Sequence, residues 1–156
     1  MDRSFGPGNQ KRIDMTENFE LSEFLQSATA KELGIDNFPS FDVVLHLYDL
    51  TSKILQPVRT AWGSAINVTS GFRCDELNEA VGGSDTSVHK IGYAADLQPA
   101  NGRFKDFVNF TINYLFEHGI KFDQILIETS GNTRWLHIGL YNNAGQQRGI
   151  VRTMTV

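Results

Sequence analysis

The chain has 156 residues, 40% of them hydrophobic and 11 of them Phe, which suits one sizeable core and excludes wholesale disorder. Its 14 Lys and Arg against 18 Asp and Glu leave a net charge of -4 with no basic run to track phosphates, which argues against a nucleic-acid partner. Cys74 is the single cysteine, so an intramolecular disulfide and a Cys-rich zinc site are excluded, and the count fits a reducing compartment.

Residues 1–16 are polar around a Gly-Pro-Gly and carry no useful periodicity, so they are expected to form a flexible leader, with Met15 an alternative start. Neither a signal peptide nor a stretch of roughly 18 apolar residues able to span a bilayer is expected. Synthesis in the cytoplasm follows, and action outside it would need another route. Leu21, Phe24, Leu25, Ala28 and Leu33 fall near helical spacing, for one short helix or two turns, with Gly34 as the stop. Pro39-Ser40 opens the clearest helix, whose apolar face takes in Phe41, Val44, Leu45, Tyr48, Ile54, Leu55, Val58 and Trp62 before Gly63 closes it. Pro57 lies inside that run and is expected to kink or end it.

A short strand is expected over 66–69, a helix over 74–81 closed by Gly82-Gly83, a polar loop over 84–93, and a buried strand over 94–97. Phe104, Phe107, Val108, Ile112, Leu115 and Phe116 mark a second long helix, stopped near Gly119. Strands over 122–128 and 135–140 suggest an antiparallel hairpin with a loop longer than the tightest types, and 149–156 can add an edge strand. The sum is an α+β single domain with a small, mainly antiparallel sheet and packed helices, spanning 17–156.

The four histidines do not read alike. His46 sits within the first long helix and His118 at the end of the second, where a cation suits the terminal carbonyls, so both read as structural. His89 lies in a glycine-bearing loop, and Asp96 follows in an apolar strand between Ala95 and Leu97. Burying that carboxylate requires a cation or several donors, which a metal, an arginine or a backbone turn could supply. In Arg134-Trp135-Leu136-His137-Ile138-Gly139-Leu140, alternation places Trp135, His137 and Gly139 on one face and the aliphatic residues on the other. If the aliphatic face is core, His137 points into a cleft. Two histidines and one carboxylate make a sensible catalytic zinc set.

The segments SGFRCDELNEAVGG (70–83), SVHKIGYAAD (87–96), FDQILIE (122–128) and WLHIGL (135–140) together resemble the M15 family of zinc D-Ala-D-Ala peptidases, in its compact M15A-like bacterial and phage branch. The resemblance extends over 17–156 and is carried above all by His-x6-Asp followed by Trp-x-His. It implies that His89, Asp96 and His137 ligate zinc in a cleft. It also implies that Arg73 binds a substrate carboxylate or stabilises the oxyanion, that Ser87 orients the ligand loop or binds substrate, and that peptidoglycan stem peptides are the partner, cut by a carboxypeptidase or endopeptidase. Phage-type release would fit such a compact enzyme.

One departure stands out. Relatives often carry an acid three residues before the final histidine as general base, and here that residue is Arg134, which alternation turns away from His137. Glu128, ending the preceding strand, is the best replacement, with Asp123 weaker because an acid at a strand's start often pairs locally. Asp75 and Glu76 suit a helix's first turn. Gln124 is a candidate pocket residue, and Trp135 a wall for a peptide group or a core residue. The competing reading is a non-catalytic zinc-containing peptide or wall-binding domain that has lost its base.

Overall fold

The computed structural model describes residues 13–156. Two short strands, β1 (Asp14–Thr16) and β2 (Phe19–Glu20), pair antiparallel and put Met15 and Phe19 into the core. Of the expected leader, residues 1–12 lie outside the described residues, whereas Asp14–Thr16 is held by this pairing and by the burial of Met15.

The expected helical stretch from Leu21 to Leu33 divides into α1 (Leu21–Leu25) and α2 (Ala28–Leu33). Ser27 makes the division: its side chain caps α2 by accepting the Ala30 N–H at 3.1 Å, and Gly34 ends that helix in the left-handed conformation. Ser40 caps α3 (Phe41–Leu50) in the same manner. Pro57 neither ends nor breaks the helical run. A π turn over Thr51–Leu55 leads into α4 (Gln56–Trp62), with Pro57 in its first turn, so the missing N–H and the ring fall where the backbone has already widened.

The buried stripe of this long element is Leu47, Leu50, Ile54, Leu55 and Val58. Phe41, Leu45 and Tyr48, expected on it, lie on the adjoining stripe and are exposed. Residues at 41, 45 and 48 share one helical face, and the sheet packs against the neighbouring one.

Five strands form the main sheet: β3 (Ile66–Ser70), β4 (Ala94–Pro99), β5 (Gln124–Ser130), β6 (Thr133–Gly139) and β7 (Ile150–Thr155), in the order β3-β4-β6-β5-β7. All pairs are antiparallel except β5 with β7. The β5–β6 hairpin is tighter than expected: Ser130 pairs with Thr133, leaving a two-residue turn in which Gly131 takes a positive φ of 58°. Between β3 and β4 lie α5 (Asp75–Ala80) and a 3-10 turn over Val88–Ile91, and α6 (Phe104–Glu117) follows β4.

One sheet face packs Leu97, Ile125, Leu136 and Ile138 against the long helices, with Phe107 and Leu115 of α6. Each such fully buried aliphatic side chain contributes about 1.5–3 kcal/mol. The opposite face, bearing Asp96, Leu126, Glu128, Trp135 and His137, is the floor of a cleft. No helix among the described residues is long and apolar enough to cross a membrane.

Candidate metal centre and its cleft

Strand register brings the distant residues together. Asp96 of β4 stands opposite His137 of β6, which closes a separation of 41 residues to one cross-strand step. His137 Nδ1 lies 3.0 Å from Asp96 Oδ1, and His89 Nε2 lies 3.2 Å from the same oxygen. The donor atoms of His89, Asp96 and His137 all fall within 4.8 Å of one another.

The loop around His89 is held from three sides. Ser87 caps the 3-10 turn by accepting the His89 N–H at 3.3 Å, and Arg73 N–H donates to the His89 carbonyl at 3.1 Å. The His89 ring donates from Nδ1 to the Gly71 carbonyl at 2.7 Å, which turns Nε2 to the cluster, where it donates to Asp96 when protonated and would offer its lone pair to a metal when neutral. Gly71 is required here by space. A Cβ on it would lie 2.5 Å from the Phe24 carbonyl oxygen and 2.6 Å from Phe24 Cα, and backbone cannot yield as a side-chain tip can. Gly71→Ala is therefore expected to cost about 1–3 kcal/mol by overpacking and to loosen the His89 anchor. Urea denaturation measures the first effect, and an unchanged midpoint would refute the close-approach argument.

The donor set fits a divalent ion such as zinc. Ligands about 2.0–2.1 Å from a tetrahedral ion sit roughly 3.3 Å apart, close to the two distances above. Burial alone would raise the Asp96 carboxyl, but the charge of His89 and hydrogen bonds from His137 and His89 hold it well below the usual carboxylate range. Only 13% of the Asp96 side chain is exposed, so it is these interactions, against burial, that keep the anionic form a cation would need.

Two further groups reach this point. Glu128, paired across the hairpin with Trp135, places Oε1 3.8 Å from His137 Nδ1 and accepts the Trp135 indole N–H at 3.2 Å. The Arg73 guanidinium is largely buried, which pulls its pKa down, while the carboxylates of Asp96 and Glu128 push it back up. Its Nε is buried with no hydrogen-bond partner. Gln124 and Ser87 line the same cleft of about 920 Å³, as does Trp135, whose ring is cleft wall and not core.

The remaining candidates do not join the three donors, although Asp123 lines the same cleft. Arg134 lies on the other sheet face, its guanidinium 4.8 Å above the Phe104 ring. Asp123 is engaged by Arg148, which donates from Nε at 2.8 Å and Nη2 at 2.9 Å. Those bonds overcome the effect of burial and hold the Asp123 carboxyl below its ordinary value. Asp75 and Glu76 occupy the first turn of α5. His46 stacks on Tyr93 and bonds the Ile91 carbonyl through Nδ1, whereas His118 bonds the Tyr114 carbonyl at the end of α6.

Sequence reasoning missed the 141–149 loop. Asn142, Asn143, Ala144 and Arg148 line the cleft, and Asn143 donates to the Thr86 carbonyl at 2.8 Å, tying the loop to the far wall. Only the cluster of Asn, Gly and Gln marks this segment in sequence, and that signals a loop without saying where it lies.

Two histidines and an aspartate opening on a wide cleft, with a carboxylate and a guanidinium beside them, make the arrangement of a metal-dependent hydrolase. A family model described as Peptidase M15 matches residues 17–138, and the chain belongs to that peptidase family, whose members are zinc-dependent in general. A search of curated proteins returned no match.

Proposed function

We propose that the protein is a zinc-dependent peptidase acting on peptidoglycan stem peptides, as a D-Ala-D-Ala carboxypeptidase or a related endopeptidase, with His89, Asp96 and His137 holding the metal. The observation that carries this reading is the convergence of these three donors with Glu128 and Arg73 in one cleft of a peptidase-family chain. The chemistry supplied by zinc in this position is acidification of a water and polarisation of the scissile carbonyl.

The chain's own groups do the rest. Glu128 accepts the proton of the attacking water at its carboxylate and returns it to the leaving amine as the C–N bond breaks. Trp135 holds the Glu128 carboxylate in place through its indole N–H. Arg73, a cation in a partly desolvated wall, binds the substrate's carboxylate or the developing oxyanion. Its charge favours peptides with a free C-terminus, hence the carboxypeptidase form. The alternative of a non-catalytic binding domain arises from Arg134, and Glu128 beside His137 weighs against it.

The test is incubation of zinc-loaded protein with a stem peptide ending in D-Ala-D-Ala, followed by mass spectrometry. Loss of the terminal residue is expected, abolished by chelation and restored by zinc. Zinc at about a hundred times its Kd should also stabilise the fold by about 2.7 kcal/mol. An intact peptide in the presence of retained zinc would overturn the enzymatic reading.

A further inference from the structure

Helix α5 ends in a Schellman motif. Gly83 N–H donates to the Asn78 carbonyl at 2.8 Å, and Gly82 N–H to the Glu79 carbonyl at 3.1 Å. Gly82 supplies the left-handed residue, with φ of 74° and open space where a Cβ would stand. Gly83 needs no such φ, yet a Cβ on it would lie 2.1 Å from Asn78 Oδ1 and 2.9 Å from Arg73 Nη1. In this motif the two positions joined by the longer bond commonly carry apolar side chains in contact. Here they are Asn78 and Gly83, and the Asn78 amide, with Arg73 Nη1 beside it, takes up the space.

Asn78 is 2% exposed, and its Nδ2 donates to the Ser84 carbonyl at 2.8 Å. That bond fixes the amide so that Oδ1 faces away from Ser84. Oδ1 is buried and has no hydrogen-bond partner, and the same is true of Arg73 Nε. An orphaned buried acceptor and an orphaned buried guanidinium donor are costly one by one, so their placement about one glycine calls for a reason.

We infer that the end of α5, through Asn78 and Gly83, is a seat for the Arg73 guanidinium that aims it at a carboxylate in the cleft. The inference rests on the proposed role of Arg73. Gly83 leaves the space that the Asn78 amide and Arg73 Nη1 share, and Asn78 Oδ1 is an open acceptor at that point. Both residues act through Arg73 and are positioning residues.

The test uses the full chain and a short peptide ending in D-Ala-D-Ala, compared with its C-terminal amide. The methyl of Gly83→Ala would meet only side-chain atoms, of Asn78 and Arg73, so the variant is expected to fold with reduced stability, and urea denaturation checks that it does. Binding of the free-acid peptide, measured by calorimetry on zinc-free protein, should weaken about tenfold, with KM raised to match and kcat little changed. Binding of the amide and retention of zinc should not change.

Asn78→Ala tests the other wall of the seat and should act in the same direction. In an Arg73→Ala background, Gly83→Ala should add nothing, whereas a merely structural effect would persist. Wild-type affinity in Gly83→Ala, or an equal loss in both backgrounds, overturns the seat while leaving the peptidase reading intact. A wild type that neither binds nor cleaves the peptide defeats the peptidase reading, and the seat with it.

Discussion

Replacing Asp96 by Asn should abolish stoichiometric zinc and reduce hydrolysis to background, although the side chain keeps its size. Asp96 is the shared neighbour of both histidines, with His89 Nε2 and His137 Nδ1 on one of its oxygens. It is also the only anion of the three-donor set. Loss of an outer-shell partner already weakens metal binding about 10–100-fold, so loss of the charged ligand should exceed a hundredfold. Metal analysis of the purified variant measures this, and zinc at one equivalent would remove Asp96 from the site.

The same residue sets a pH dependence in the metal-free protein. Its folded-state pKa is depressed, so the unfolded chain binds the proton more readily as pH falls. The contribution of Asp96 to stability is therefore present above the unfolded value, about 3.9, and is lost as pH falls below it toward the folded value. Denaturation midpoints of wild type and Asp96→Asn, both metal-free, should converge on acidification through that window. A constant gap would contradict the charge-based account.

Glu128→Gln should lower kcat by about 10²–10⁴-fold with zinc still bound, the usual contribution of a positioned general base. Glutamine keeps an oxygen able to accept the Trp135 indole N–H, so the hairpin and its cleft face should persist. Single-turnover hydrolysis with metal content measured on the same sample separates the two effects. A variant as active as wild type would disqualify Glu128. Asp123 is then a poor substitute, because Arg148 already holds both of its oxygens.

What could be read from the sequence came from local periodicity. Alternation alone turned Leu136, Ile138 and Leu140 inward and His137 toward a cleft, and turned Arg134 away from it. The setting of His46 and His118 within helices kept them out of the cluster, and both are engaged with backbone carbonyls. Helix boundaries came from Ser40, Gly34 and Gly63, because caps act within a few residues, whereas the break at Ser27 was not read.

Features that depend on partners distant in the chain were not legible. The tight hairpin required Ser130 and Thr133 to pair, which extended both strands beyond their apolar runs. The parallel pairing of β7, the 141–149 loop over the cleft and the Arg148 grip on Asp123 join segments through space. The exposed side chains of Phe41, Leu45 and Tyr48 make the same point, since helical spacing defines a face without saying which face meets the sheet.

For the site, the sequence by itself determined the residue types: two histidines and an aspartate in contexts where a free charge or lone pair is costly, a family pattern around them, and the missing acid at Arg134. Tertiary structure decided which of them meet. The pairing of Asp96 with His137 and of Glu128 with Trp135 is a matter of register, set by how two strands bury their aliphatic faces together. The double glycine at 82–83 read as a helix stop. Only the folded chain separates Gly82, which serves backbone conformation, from Gly83, where a Cβ would collide with Asn78 Oδ1 and Arg73 Nη1.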